Sequence, residues 1–269
     1  MPTMKLVRRR FARASGEGIW QGSALCLPIG MPVAYTLLSM IRANCRERFT
    51  AVDFDFIVRT LARSRPDHVS LVDLLSDADA RDAVLDHPRL VDAILSHGGH
   101  LSISSQFYFY VLARHVLQEA GIADRKLCDY VASLLETFSR INRSQVSSHH
   151  DERSREYVSD MLIALTQASS EQAFLLRAHV GNYSLFVSGI FHENTKHRVS
   201  RGGPDLSFYE QIGRTNYQLV SSHAAARRCE LGDVYEQLAE RFREVRLALN
   251  DLSDRLLNLN DDLTASLLL

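Results

Sequence analysis

The chain has 269 residues, 46% of them hydrophobic and 23% charged, with a net charge of −1. A chain of that size buries roughly 70–75% of the surface its unfolded form exposes, so folding requires neither a disulfide framework nor a metal. The charge is unevenly placed. Residues 1–48 carry eight basic side chains against Glu17 and Glu47, a net +6, and the rest of the chain carries −7. An acidic body excludes a dedicated nucleic-acid binder, because phosphate contacts need a basic face. Cys26, Cys45, Cys128 and Cys229 are scattered without a CxxC pair. That pattern implies packed free thiols in a reducing, cytoplasmic compartment. Six prolines and thirteen glycines are few for this length and favour long helices.

Residues 1–31 are expected to form a flexible basic leader. Arg8-Arg9-Arg10-Phe11 has the look of a twin-arginine export signal, and the uncharged run 18–41 is long enough to cross a bilayer. Gly22, Pro28, Gly30 and Pro32 interrupt that run, and no A-x-A-like cleavage site follows it. A membrane role through this segment is therefore the alternative rather than the expectation.

Residues 32–269 are expected to form a single helical domain. Val33, Leu37, Ile41, Cys45 and Phe49 step by four, and Phe54, Ile57, Val58 and Leu61 form a second stripe before Pro66. Short helical pieces follow at 69–75, 78–85 and 90–96, punctuated by His87-Pro88 and by Gly98-Gly99. The segment 107–119 is apolar on several faces, as a central helix would be, and Gly121 stops it. Asp124 caps a helix with Leu127, Val131, Leu134, Phe138 and Ile141 in a 4-3-4-3 rhythm.

A polar linker spans 142–153, and Val158, Met161, Leu162 and Leu165 mark the next helix. Ser169 with Gln172 makes a capping box that opens the helix carrying Phe174, Leu175, Leu185 and Phe186. A loop is expected at 193–204, a second capping box at Ser207 and Glu210, and a looser one at Asp233 and Glu236. The last helix carries a heptad seam of Leu238, Phe242, Val245, Leu249, Leu252, Leu256, Leu259 and Leu263. Its flanks (Ala239, Arg246, Ser253, Asn260 and Arg241, Ala248, Arg255, Asp262) lack matched opposite charges. The fold predicted is all-α: a multi-helix bundle, mostly antiparallel, with a long C-terminal heptad-patterned helix. A homodimer through that helix is the alternative use of the seam.

Motifs for chemistry are sparse. His192-Glu193 with His197 has the ingredients of a zinc-protease motif, but a spacing of five turns the second histidine about 140° from the first. His149-His150-Asp151 resembles the His-Asp pair of the HD phosphohydrolases, for which His100 or His115 and Asp205 or Asp233 would complete a metal site. The pair sits in a polar linker, where the packed support that a metal site needs is not expected. No cofactor is implied. His97 and His100 bracket two glycines at a helix end, a position that suits contact with terminal carbonyls.

The segment 176–217 holds what remains. His179, Asn182, Tyr183 and Phe186 recur at helical spacing on one element, and Tyr209, Gly213, Arg214 and Tyr217 on the next. Glycine costs a helix interior about 1 kcal/mol relative to alanine, so Gly181, Gly189 and Gly213 imply close approach by a neighbouring helix or by a ligand. These eight polar, aromatic and glycine positions are the candidate ligand-binding residues.

The runs Gly181-Asn182-Tyr183-Ser184-Leu185-Phe186, Ser188-Gly189-Ile190-Phe191 and Leu206-Ser207-Phe208-Tyr209-Glu210, with Gly213-Arg214 and Tyr217, resemble an uncharacterised family of bacterial all-helical proteins. The stretches 123–140 and 238–255 share the resemblance, which covers roughly residues 49–256. It implies a bacterial helical protein and carries no reaction. The function expected is thus a non-catalytic binding protein for an unknown protein or small molecule, with its site between the helices around 176–190 and 207–222. The alternatives are a metal-dependent HD-like phosphohydrolase using His150 and Asp151, and a membrane-associated protein.

Overall fold

The computed structural model describes residues 40–96, 102–144, 158–199 and 202–256. The chain divides into Met1–Leu37 and a second unit, Leu38–Leu269, to which all the described residues belong. The leader of residues 1–31, His97, His100, the His149–Asp151 motif and the end of the heptad seam lie outside the described residues. Among those described, the fold is an all-α multi-helix bundle with no strand.

A first layer is built from short helices. α1 (Ala51–Leu61) opens on a capping box between Thr50 and Asp53. The Asp53 carboxylate is fully buried and accepts from the Thr50 N–H at 2.7 Å, and from the Ser104 N–H and hydroxyl at 2.7 Å each. One carboxylate thereby ties the start of α1 to the start of α5 (Ser105–Glu119). Pro66 does not merely stop α1. It sits in the first turn of α2 (Arg65–Ser76), where a missing N–H costs nothing, and Pro88 does the same for α4 (Pro88–Leu95) after α3 (Ala78–Leu85).

α5 is the central helix expected from its all-round apolar pattern: Phe107, Phe109, Tyr110 and Leu112 are each 0% exposed. It ends at Gly121, whose φ of +71° suits glycine, and α6 (Arg125–Ser144) starts on the Asp124 cap, which accepts from Leu127 N at 2.6 Å. Where α3, α5 and α6 meet, arginines and carboxylates alternate. Arg46 binds Asp82 and Asp129, Arg125 binds Asp82 and Asp86, and Arg114 binds Asp86. Each buried charge is paired there, and the two guanidinium groups hold the Asp86 carboxyl below its ordinary value against the opposing effect of burial.

The second half packs on α5 and α6. After α7 (residues 158–164), the predicted Ser169–Gln172 capping box opens α8 (Ser170–Ile190). α9 (His192–Val199) occupies much of the stretch expected as a loop: the chain bends at Phe191 and turns back into helix, burying His192 and Thr195 on one side. α10 (Leu206–Ser221) is capped by Asp205, not by Ser207; Asp205 accepts from Phe208 N at 2.8 Å. α11 (Ala224–Arg228) and α12 (Gly232–Glu240) follow, and α12 has no side-chain cap from Asp233.

The heptad seam is built as two helices in series. α12 and α13 (Phe242–Asp251) meet at Arg241, and a π-helical turn (Leu252–Leu256) follows. Leu238, Phe242, Val245, Leu249 and Leu252 are all fully buried inside the chain. The break at Arg241 seats Phe242 against α10, which one uninterrupted heptad stripe does not specify.

Candidate functional site

α8 is buried around nearly its whole circumference, and its neighbours divide the candidate residues among them. Asn182 faces α10 and the interior. Its side-chain oxygen accepts from the Tyr130 hydroxyl and from the Tyr217 hydroxyl, each at 2.8 Å. Tyr235 of α12 stacks on Tyr217 at 5.8 Å and meets Tyr130 edge-on at 5.5 Å. Burial raises the hydroxyl pKa of Tyr130 and Tyr217 well above the ordinary value and pushes that of Tyr235 up to about 12. The hydroxyls stay protonated at neutral pH, so this hub is a hydrogen-bonded joint of α6, α8, α10 and α12.

His179, Tyr183 and Phe186 meet α6 at another point, two turns beyond Tyr130. All three lie against Phe138 of α6, at ring separations of 5.7, 6.3 and 4.8 Å. Burial lowers the His179 pKa from 6.5 to about 4. The folded state therefore resists a proton that the unfolded chain takes up near 6.5. Stability should be intact above that pH and fall as pH drops towards 4, with a slope of up to about 1.4 kcal/mol per pH unit. Urea unfolding of the parent and of His179→Gln across pH 4–7 checks this: the variant should show the flatter profile, and equal slopes would dismiss His179 as the source.

The three glycines sit at crossings. A Cβ on Gly213 would lie 2.3 Å from the Phe242 ring, and one on Gly181 would lie 2.8 Å from the Tyr217 ring. Gly189 abuts Leu249 in the same way. The close approach foreseen at these positions is thus made by side chains of α10 and α13. Tyr209 is buried, and its ring meets Phe208 at 5.5 Å.

Arg214 stands apart from the other seven candidates. It lies on the outer face of α10, with its Nε donating to Ala239 O at 3.1 Å in the last turn of α12. There it lines an open groove of about 820 Å³ between α10 and the α12–α13 segment, with Glu210, Gln211, Leu219, Arg243 and Arg246. Arg246 forms part of the wall and is 7% exposed. Its orientation is set by a relay: Asn250 donates from Nδ2 to Ser188 O and Gly189 O at the end of α8, and accepts from Arg246 Nη1 at 2.9 Å. Arg246 Nε, by contrast, makes no hydrogen bond; Glu210 Oε2 is 3.5 Å away. Burial lowers the Arg246 pKa, Glu210 opposes that, and the nearby Arg243 adds to the lowering.

Sequence reasoning missed Tyr130, Tyr235, Phe138 and Phe242 in the packed joints, and Glu210, Arg243 and Arg246 in the groove. The signal available for the last two was the pair of arginines three apart on the helix, one of them bordering its apolar seam. Of the residues considered for metal, His115 lies 3.7 Å from Glu119 on the same helix, Asp205 caps α10, and His192 lies between Glu193 and Asp254. Among the described residues no group of three or more His, Cys, Asp or Glu is placed to hold a metal ion, and no helix is long and apolar enough to cross a membrane.

No family model matches the sequence, and no curated protein or solved structure matches it.

Proposed function

We propose that this chain is a non-catalytic helical binding protein, and that its ligand occupies the groove between α10 and the α12–α13 segment. The observation that carries this reading is the contrast between two parts of the candidate segment. The joint between α8 and α10 is filled by aromatic rings, with Tyr217 over Gly181 and Phe242 over Gly213. The outer face of α10, where Arg214 lies, borders an open groove of about 820 Å³, within the range of small-molecule sites. Guanidinium, amide and hydroxyl groups provide most of its polar lining, and they bind and orient rather than exchange protons at neutral pH. Its one carboxylate, Glu210, is turned towards Arg246.

The test is a thermal-shift panel of small phosphates, carboxylates, nucleosides and neutral sugars, followed by hydrogen exchange on whatever binds. The expected outcome is a saturable rise in melting temperature, with protection confined to residues 206–219 and 239–246. Protection elsewhere, chemical conversion of the bound compound, or a panel without one saturable binder would overturn the reading.

A further inference from the structure

We infer that the groove takes a small organic phosphate monoester, its phosphoryl group held between Arg243, Arg246 and Arg214 and its organic part laid along Leu206 and Leu219. This inference rests on the groove being the binding site. Three guanidinium groups line the groove against one carboxylate, Glu210, an excess of two positive charges. Arg243 has neither an ion pair nor a hydrogen bond among the described residues, although it is close enough to bear on the charge of Arg246. Like charges are thus gathered at an open surface beside a nine-tenths-buried arginine whose Nε is met only by an ion pair, to Glu210 at 3.5 Å.

The ligand class follows from charge and shape. A phosphate monoester carries nearly two negative charges at neutral pH and three acceptor oxygens, enough to engage more than one guanidinium at once. A monocarboxylate brings one charge and two oxygens, and would leave one arginine uncompensated. A groove of about 820 Å³ is much larger than a phosphoryl group, and Leu219, 49% exposed on its rim, offers apolar surface to the remainder of the molecule.

Calorimetric titration of the full chain with phenyl phosphate, inorganic phosphate, benzoate and phenol tests this. Phenyl phosphate should bind one per chain, inorganic phosphate should compete more weakly, and added salt should weaken both. Arg243→Gln, at an exposed position, and Arg246→Gln should each weaken phenyl phosphate at least tenfold, whereas Arg227→Gln on α11 should leave it unchanged. Benzoate bound as tightly as phenyl phosphate would overturn the phosphate assignment. So would phenyl phosphate affinity that is insensitive to Arg243→Gln, or no saturable heat with phenyl phosphate. Groove protection by phenol or another neutral compound, with phenyl phosphate silent, would remove this inference and leave the binding role standing. Silence from every compound of the wider panel would remove both.

Discussion

Replacing Asn182 with alanine is expected to destabilise the fold by about 2–4 kcal/mol, because the Tyr217 hydroxyl loses its acceptor and the Tyr130 hydroxyl keeps only a long bond of 3.5 Å to that of Tyr235, and an unpaired buried hydroxyl costs about 1–3 kcal/mol. Both bonds are 2.8 Å long and both tyrosines are 0% exposed, so neither hydroxyl reaches bulk solvent without opening the joint. Tyr217→Phe in the parent should cost only about 1 kcal/mol, since Asn182 keeps the Tyr130 hydroxyl and the ring remains stacked on Tyr235. In the Asn182→Ala background the same change should be neutral or stabilising, because it removes an orphaned hydroxyl. That change of sign is the diagnostic. Urea unfolding followed by far-ultraviolet circular dichroism measures all four proteins of the cycle. Additive losses would show that Asn182 and Tyr217 are not joined in solution as they are here.

The all-helical architecture was legible from the sequence, and so were several helix starts, because both depend on local chemistry. The Ser169–Gln172 box and the Asp124 cap use backbone donors within one turn, and the 3–4 stripes report a core side wherever one exists. The division of α8 was not legible. His179, Asn182, Tyr183 and Phe186 share a helical spacing, yet Asn182 joins the tyrosine hub while the other three rest on Phe138. A helix buried nearly all round has several neighbours, and a single apolar period carries no mark of where one neighbour's sector ends. The groove was hidden for a related reason. Arg246 read as a flank of the heptad seam and Arg243 carried no mark at all, and only the packing of α13 beside α10 brings them to Arg214 and Glu210. The break at Arg241 was equally silent, because the seam repeats across it without interruption.

Gly213→Leu should destabilise by about 2–3 kcal/mol through overpacking, against the trend of its own helix. At an exposed helical site the same change gains about 1 kcal/mol, since leucine is a far better helix former than glycine. Here the first added carbon would stand 2.3 Å from Phe242 Cε2, 2.5 Å from Cζ and 3.2 Å from Ser184 Cβ. The Phe242 ring is fully buried and lies beside Tyr217, with 6.1 Å between centroids, so it can yield only by disturbing the joint already described. The clash is specific, and a compensating change should expose it. Phe242→Leu alone leaves a void and should cost stability. Combined with Gly213→Ala it should cost less than the two single changes added together, with a coupling of 0.5 kcal/mol or more in the favourable direction. Thermal unfolding of Gly213→Leu and of this cycle measures both effects. A melting temperature for Gly213→Leu at or above that of the parent would mean that the ring does not sit over the glycine, and that α10 has room on this side for something other than α13.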